Sequence, residues 1–351
     1  MTRITATKTK DMFGLASSRT SRTSRTSRGL GHGKLLGRMN ALANRPSRAT
    51  EMPGRKGETQ PPQPQPRHQQ RDNNNEGIAF TQDDFTPRIS ENTLRNLEMD
   101  VLDSGVGVKA LRRFNDALDR LSKSEDWESI LEPVWAEMAF NLESFNPVFT
   151  ACLLKVQCTI GSTDYVARDV CLQNLIQPLA GEYGLHEGEK LDKTHRMLFS
   201  DWYTSVTDKP LSHILGNTEL KPEAGQLLFA QMMKDVSGGG GFNDPVAQAS
   251  YALGYNLAVE YLANPEKTWL LDSFQRFNKE RLASEGKHVD WKFLEVHALG
   301  EKEHADIGHE AVAVFAPAGH SDIVRKAMED HDRDFAAYYT TLAKMLEEKL
   351  L

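Results

Sequence analysis

From about Pro87 onward, apolar residues recur every three to four positions, the spacing that places them on one face of a helix. Leu94, Leu97, Val101 and Leu102 open the series, and Val108, Leu111, Phe114, Leu118 and Leu121 continue it. Ser124-Glu125-Asp126 then predicts a helix start before Trp127, Ile130, Leu131, Val134, Trp135, Met138 and Leu142. Asn146-Pro147 predicts a separate helix through Phe149, Leu153, Leu154 and Val156, and Asp164 to about Glu182 predicts the next. Tyr183-Gly184-Leu185-His186-Glu187-Gly188 reads as a turn leading to a helix with Leu191, His195, Met197, Leu198, Phe199 and Trp202. Pro210 and Pro222 punctuate two shorter helices, and Ser237-Gly238-Gly239-Gly240-Gly241 reads as a flexible break. No stretch alternates with period two for long enough to form a half-buried strand, so the expected fold is all-α.

After the glycines, Asp244-Pro245 fits an N-cap followed by a first-turn proline. The helix expected over roughly 245–263 is apolar almost all round, from Val246 through Tyr251, Leu253, Tyr255 and Leu257 to Leu262, which makes it a central, buried element. Glu260 sits inside it. A carboxylate in such surroundings is costly unless it is paired, hydrogen-bonded or coordinating a metal. The competing reading uses Asn264-Pro265 as a helix end from which Glu260 reaches water. Beyond this point, Trp269 to Phe277 is amphipathic, Asp290 to Phe315 forms another helix, and Ser321 to Leu351 closes the chain. Phe335, Tyr338, Tyr339, Leu342 and Leu346 in that last helix read as core.

Composition changes the picture mainly at the front of the chain. Residues 1–75 hold 15 Lys and Arg against 4 Asp and Glu, leaving 27 basic and 45 acidic residues in 76–351. The Arg/Thr/Ser repeat of 19–28, the Pro/Gln run of 61–66 and Asn73-Asn74-Asn75 cannot bury enough apolar surface to offset their ordering entropy. Residues 1–75 are therefore expected to be a disordered basic tail. A transit peptide over residues 1–50 and a polyanion-binding arm are the other readings. Residues 76–351 form the expected helical domain. Its acidic balance argues against a nucleic-acid-binding face, and no apolar run reaches the ~18 residues needed to cross a bilayer. The expectation is a soluble, cytoplasmic protein, or an organellar one if a transit peptide is present. Cys152, Cys158 and Cys171 form neither a disulfide framework nor a zinc spacing and read as buried thiols.

Candidate chemistry concentrates in Val296-His297-Ala298-Leu299-Gly300-Glu301-Lys302-Glu303-His304. At about 100° per residue, His297, Glu301 and His304 share an arc of roughly 60°. Gly308, next on that face, adds no side chain to crowd a bound atom. Two imidazoles and a carboxylate suit iron, zinc or manganese. The alternative is a solvated face, and Glu260 on its apolar helix weighs against it.

These residues resemble the haem-oxygenase-like non-haem diiron oxidases and oxygenases. The family pairs a His-x-x-x-Asp/Glu-x-x-His helix, here His297, Glu301 and His304, with a lone glutamate after an Ala/Leu/Gly/Tyr-rich run, here Ala252 to Glu260. Upstream it has an Arg…Asn-Leu…Glu-x-Gly element and a histidine before Leu-Phe, matched by Arg168, Asn174-Leu175, Glu182-Tyr183-Gly184 and His195 to Phe199. The resemblance covers about residues 145–315. It implies a haem-oxygenase-like helical bundle and the metal ligands Glu182, His195, Glu260, His297, Glu301 and His304, with no catalytic residue named beyond them. It further implies two Fe(II) per chain, with Mn as an alternative metal, and O2 as co-substrate. Two departures mark this chain. Many members carry Asp at the Glu301 position, and His186, Glu189 and Asp192 lie between Glu182 and His195, with Asp192 as the rival to Glu182.

The function implied is an Fe(II)- and O2-dependent oxidase or oxygenase acting on a small organic substrate such as an amino acid, an amine or a fatty acid. Two alternatives stay open. One is a metal-free, thiaminase-like hydrolase of the same fold with a cysteine nucleophile. The other is a non-catalytic iron-binding helical protein. A small-molecule substrate is the expected partner, no membrane is expected, and a homodimer is left open.

Overall fold

The computed structural model describes residues 86–161, 164–186, 189–190 and 192–350, with only the main chain described at 186, 189, 190 and 299–303. The expectations for residues 1–75, tail or transit peptide, lie outside the described residues. Ten α-helices carry the described chain: α1 (Glu91–Glu98), α2 (Val106–Asp119), α3 (Trp127–Gln157), α4 (Tyr165–Glu182), α5 (His195–Thr207), α6 (Ser212–Leu215), α7 (Glu223–Gly238), α8 (Pro245–Phe277), α9 (Lys292–Phe315) and α10 (Ser321–Glu347). The fold is all-α. Its extended structure among the described residues is slight: strands β1 (Leu185–His186) and β2 (Glu189–Lys190), paired antiparallel, and an isolated bridge between Arg88 and Pro317.

Helix starts follow local chemistry. Ser90, Asp164, Thr194 and Asp244 each accept a hydrogen bond from the main-chain N–H three residues on, satisfying a donor that the first turn cannot pair internally. Two helices are capped from a distance instead. Asp332 on α10 accepts from the Val106 and Gly107 amides of α2, both at 2.9 Å. Glu137 on α3 accepts from the Ala224 and Gly225 amides of α7, at 3.1 and 2.6 Å. These are buried carboxylates with fixed donors, so they pin helix ends to the core.

The central element is α8. It packs on α9 along one side and on α10, α2 and α3 around the rest. Gly254 lets it approach α10 closely, since a Cβ there would stand 3.0 Å from the Val324 Cα. An aromatic cluster of Trp135, Phe199, Trp202, Phe274 and Phe293 joins α3, α5, α8 and α9, with the Trp202 and Phe293 rings stacked at 5.4 Å.

Five expectations are corrected. The helix expected to begin at Asn146-Pro147 is the second half of α3, and α8 runs on through Pro265 to Phe277 as one helix. A mid-helix proline costs about 3 kcal/mol. Burying the side chains of Leu262, Leu270 and Phe274, at about 1.5–3 kcal/mol each, outweighs it. The helix expected to carry Leu191 begins only at His195, because Thr194 caps it and the β1–β2 pair occupies the preceding segment. The glycine run is an ordered turn: Gly239, Gly240 and Gly241 all have positive φ. A Cβ on Gly239 or Gly240 would overlap Gln248 or the Tyr251 ring. Finally, Cys152 and Cys171 are buried as expected but Cys158, at the end of α3, is exposed.

Candidate metal centre

The sequence-derived ligands lie on four helices that meet around α9. Glu182 ends α4, His195 opens α5, Glu260 lies within α8, and His297, Glu301 and His304 belong to α9. Helix α9 packs against α8, α4 and α5, so the helix with three candidate ligands touches each element that supplies another.

Glu260 is 2 % exposed, so the reading in which it reaches water at a helix end does not hold. Its Oε2 lies 3.8 Å from His304 Nδ1. Gly308 faces the same place: a Cβ there would lie 4.0 Å from Glu260 Cγ. The upstream pair is tighter. Glu182 Oε1 stands 2.8 Å from His195 Nδ1, yet the angle falls outside hydrogen-bond alignment, so this buried ring nitrogen has no aligned partner. The His195 ring then packs edge-on against His297, with centroids 4.3 Å apart. Glu182, His195 and His297 therefore form one contact chain, and Glu260 with His304 forms another.

His297 is buried and its Nδ1 lies 2.5 Å from the Phe293 carbonyl one turn earlier. Donation to that carbonyl fixes the proton on Nδ1 and leaves the Nε2 lone pair for a cation, the outer-shell pattern of metal-binding histidines. Burial, then the neighbouring His195, hold the His297 imidazole well below its ordinary range, keeping it neutral as ligation requires.

Glu182, Glu260 and His297 line one cavity of about 80 Å3, between α3, α4, α7, α8, α9 and α10. Leu142, Phe145 and Met232 give it apolar walls. Glu182 also borders a second cavity, of about 320 Å3, shared with His195, Arg196 and Glu143.

The fit to a dinuclear metal site is one of kind and grouping. Glu182, Glu260 and the pre-oriented His297 line one cavity, and His195 and His304 stand beside the two carboxylates, which is donor chemistry suited to iron or manganese. Among the described residues no three donors converge closely enough to hold an ion. The Glu301 side chain lies outside the described residues, as do those of His186 and Glu189. Asp192, the rival to Glu182, accepts from Lys292 Nζ at 2.8 and 3.0 Å and sits in the loop ahead of α5. The helix expected to carry Leu191 would have carried Asp192 as well, but α5 starts only at His195.

His331 of α10 lines the same cavity and was not singled out from sequence. It is 2 % exposed, has no hydrogen-bond partner for Nδ1, packs edge-on against Tyr255, and burial takes its pKa down to about 3. The signal was available, since His331 falls three residues after Met328 and four before Phe335, on the apolar face of α10. Glu266 and Lys267, which also line the cavity, are an adjacent ion pair on α8.

The architecture is a haem-oxygenase-like helical fold. It matches two crystal structures, at 2.00 and 1.35 Å resolution, of a CadD-like protein of unknown function from Nostoc punctiforme PCC 73102. The first has a TM-score of 0.50 at 11 % identity, covering 72 % of this chain and 96 % of that one. The second has a TM-score of 0.51 at 13 % identity, covering 74 % and 96 %. At such identities the likeness is one of fold alone. No family model and no curated protein matches the sequence.

Proposed function

We propose that the chain is an Fe(II)- and O2-dependent oxidoreductase that oxidises a small organic substrate such as an amino acid, an amine or a fatty acid. Glu182, His195, Glu260, His297, Glu301 and His304 would hold two irons, with manganese as the alternative metal. The carrying observation is a cavity lined by Glu182, Glu260 and the carbonyl-oriented His297, with His195 and His304 paired to its two carboxylates. Bound iron would supply the electrons for dioxygen chemistry, which no protein side chain here provides.

The residues of the chain divide the remaining work. Glu260, on an apolar helix, offers negative charge where water cannot, and so favours a bound cation over an empty site. His297 is held in one tautomer by Phe293 and presents its lone pair without rearrangement. Leu142, Phe145, Met232 and Phe335 keep water from the cavity and give an organic substrate apolar contact. His331, neutral and buried, offers a ring nitrogen for a substrate hydrogen bond.

The cysteine-hydrolase reading has less support. None of the three cysteines lines this cavity, and burial keeps the Cys152 and Cys171 thiols protonated. The test is dioxygen uptake by anaerobically Fe(II)-loaded protein, run against panels of amino acids, amines and fatty acids. Substrate-triggered uptake above the substrate-free rate supports the proposal. Metal binding without any triggered uptake would leave an iron-binding protein, and neither would remove the metal reading.

A further inference from the structure

A further cavity in the described chain lies apart from the candidate ligands. A space of about 450 Å3 opens between α1, α2, α8 and α9, on the flank of α8 and α9 turned away from the inner cavity. The residues that α8 presents to it, Tyr261, Asn264, Pro265 and Trp269, differ from Val259, Glu260, Ala263, Glu266 and Lys267, which line the inner cavity. Its size falls in the range of pockets that enclose small organic ligands.

Its floor is polar and buried. His309 on α9 is 5 % exposed and Glu98 on α1 is 7 % exposed. His309 Nε2 has no hydrogen-bond partner, and Glu98 Oε1 stands 4.0 Å from it, too far for a hydrogen bond between them. Burial, then the Arg95 charge, hold the imidazole below its ordinary range, while burial raises the Glu98 carboxyl to about 7. His309 thus lines the cavity with its Nε2 unpartnered and the Glu98 carboxyl beside it. A buried ring nitrogen in that condition is costly without a ligand or water to pair with it.

The rim carries the opposite charge. Arg112 lies over the Trp269 ring at 5.2 Å, and Arg95 lines the cavity near Glu98 and His309. Among the described residues, neither guanidinium has a carboxylate within ion-pair distance. Asp103 is engaged by the Tyr261 hydroxyl at 2.7 Å, and Asp306 completes the lining charges. A simple anion would meet Glu98, Asp103 and Asp306, whereas a simple cation would meet two arginines. A molecule with both signs satisfies each end.

We infer that this cavity is a second ligand site, separate from the candidate metal centre, for a small amino carboxylic acid. The ligand ammonium is placed between Glu98 and His309, its carboxylate on Arg112 and Arg95, and its body against Trp269 and Tyr261. The inference does not rest on the metal reading, so it is tested with chelator present.

The full chain is screened against the twenty common amino acids by thermal shift, and the best ligand is titrated calorimetrically beside its deaminated acid and its decarboxylated amine. Expected is saturable binding near one per chain, weakened by about tenfold or more for each analogue and for Arg112→Gln, since each change removes a charged hydrogen bond. His309→Gln should weaken it as well, and Glu182→Gln, in the other cavity, should leave it unchanged. Because Arg112 is an exposed side chain, its variant is expected to fold normally. Failure of all twenty to bind would overturn the proposal. So would equal affinity for the deaminated acid, an unaltered Arg112→Gln, or loss of binding in Glu182→Gln.

Discussion

The two halves of the candidate metal centre are built differently. The downstream half, Glu260 and His304, sits in the middle of long helices, where neighbours along α8 and α9 fix each side chain by register. The upstream half, Glu182 and His195, sits at the last residue of one helix and the first of another, with the β1–β2 pair between them. Distances follow the construction in an instructive way. The helix-end pair already touches at 2.8 Å, while the mid-helix pair stands apart at 3.8 Å. Residues at helix ends can swing toward each other, and those inside packed helices keep the spacing their backbones impose. The upstream pair is thus the adjustable half of the centre, and the downstream pair its fixed frame.

The largest effect should come from cutting the packing that joins the halves. Trp202 on α5 stacks on Phe293 of α9 and meets Trp135 and Phe274 edge-on. Trp202→Ala should cost about 3–5 kcal/mol in urea unfolding and should loosen the upstream half more than the downstream one. Glutamate variants of the two halves would then differ more in metal affinity than they do in the wild-type background, and an unchanged difference would show that α5 is not what holds His195 in place.

Glu260→Gln comes next. It is nearly isosteric, so the helical signal should survive while metal affinity falls by roughly tenfold or more, because a neutral amide cannot balance a buried cation. The parallel change Glu182→Gln should cost less, since Glu182 is only part-buried and borders a second cavity besides the one it shares with Glu260. Equal losses, read by anaerobic Fe(II) titration, would erase the distinction between frame and adjustable half. Glu295→Gln, exposed on the first turn of α9, is the matched control and should leave binding unchanged.

A smaller effect separates the centre from the far side of α9. The Glu98 carboxyl is raised above its unfolded value of 4.5 to about 7, mainly by burial. A raised acid favours folding when protonated, so its destabilising influence is absent below about pH 4.5 and grows as pH rises toward 7. Glu98→Gln should therefore stabilise the protein relative to wild type near pH 7.5, with the advantage shrinking toward pH 5. A constant difference across that window, measured by urea unfolding, would mean that Glu98 does not titrate as its burial implies.

Register inside long helices was the part of the site most open to reading from sequence. The 3.6-residue period put His297, Glu301 and His304 on one arc, and the apolar run around Glu260 required a buried carboxylate, which is what α8 contains. Glu182 and His195 had no such signal and came only through family resemblance, because their meeting depends on loop geometry that periodicity does not encode. Prolines misled for a related reason. Pro147 and Pro265 carry local breaking tendencies, but buried residues on both sides keep α3 and α8 continuous. His331 was passed over because one histidine on a core face has no spacing partner; its role depends on α10 meeting α8 and α9 in space.

The most direct test of a two-metal centre is the stoichiometry of Fe(II) bound by the full chain under anaerobic conditions, followed by equilibrium dialysis. Six N/O donors on four helices predict about two irons per chain. A value near zero, after loading with either Fe(II) or Mn(II), would contradict the account.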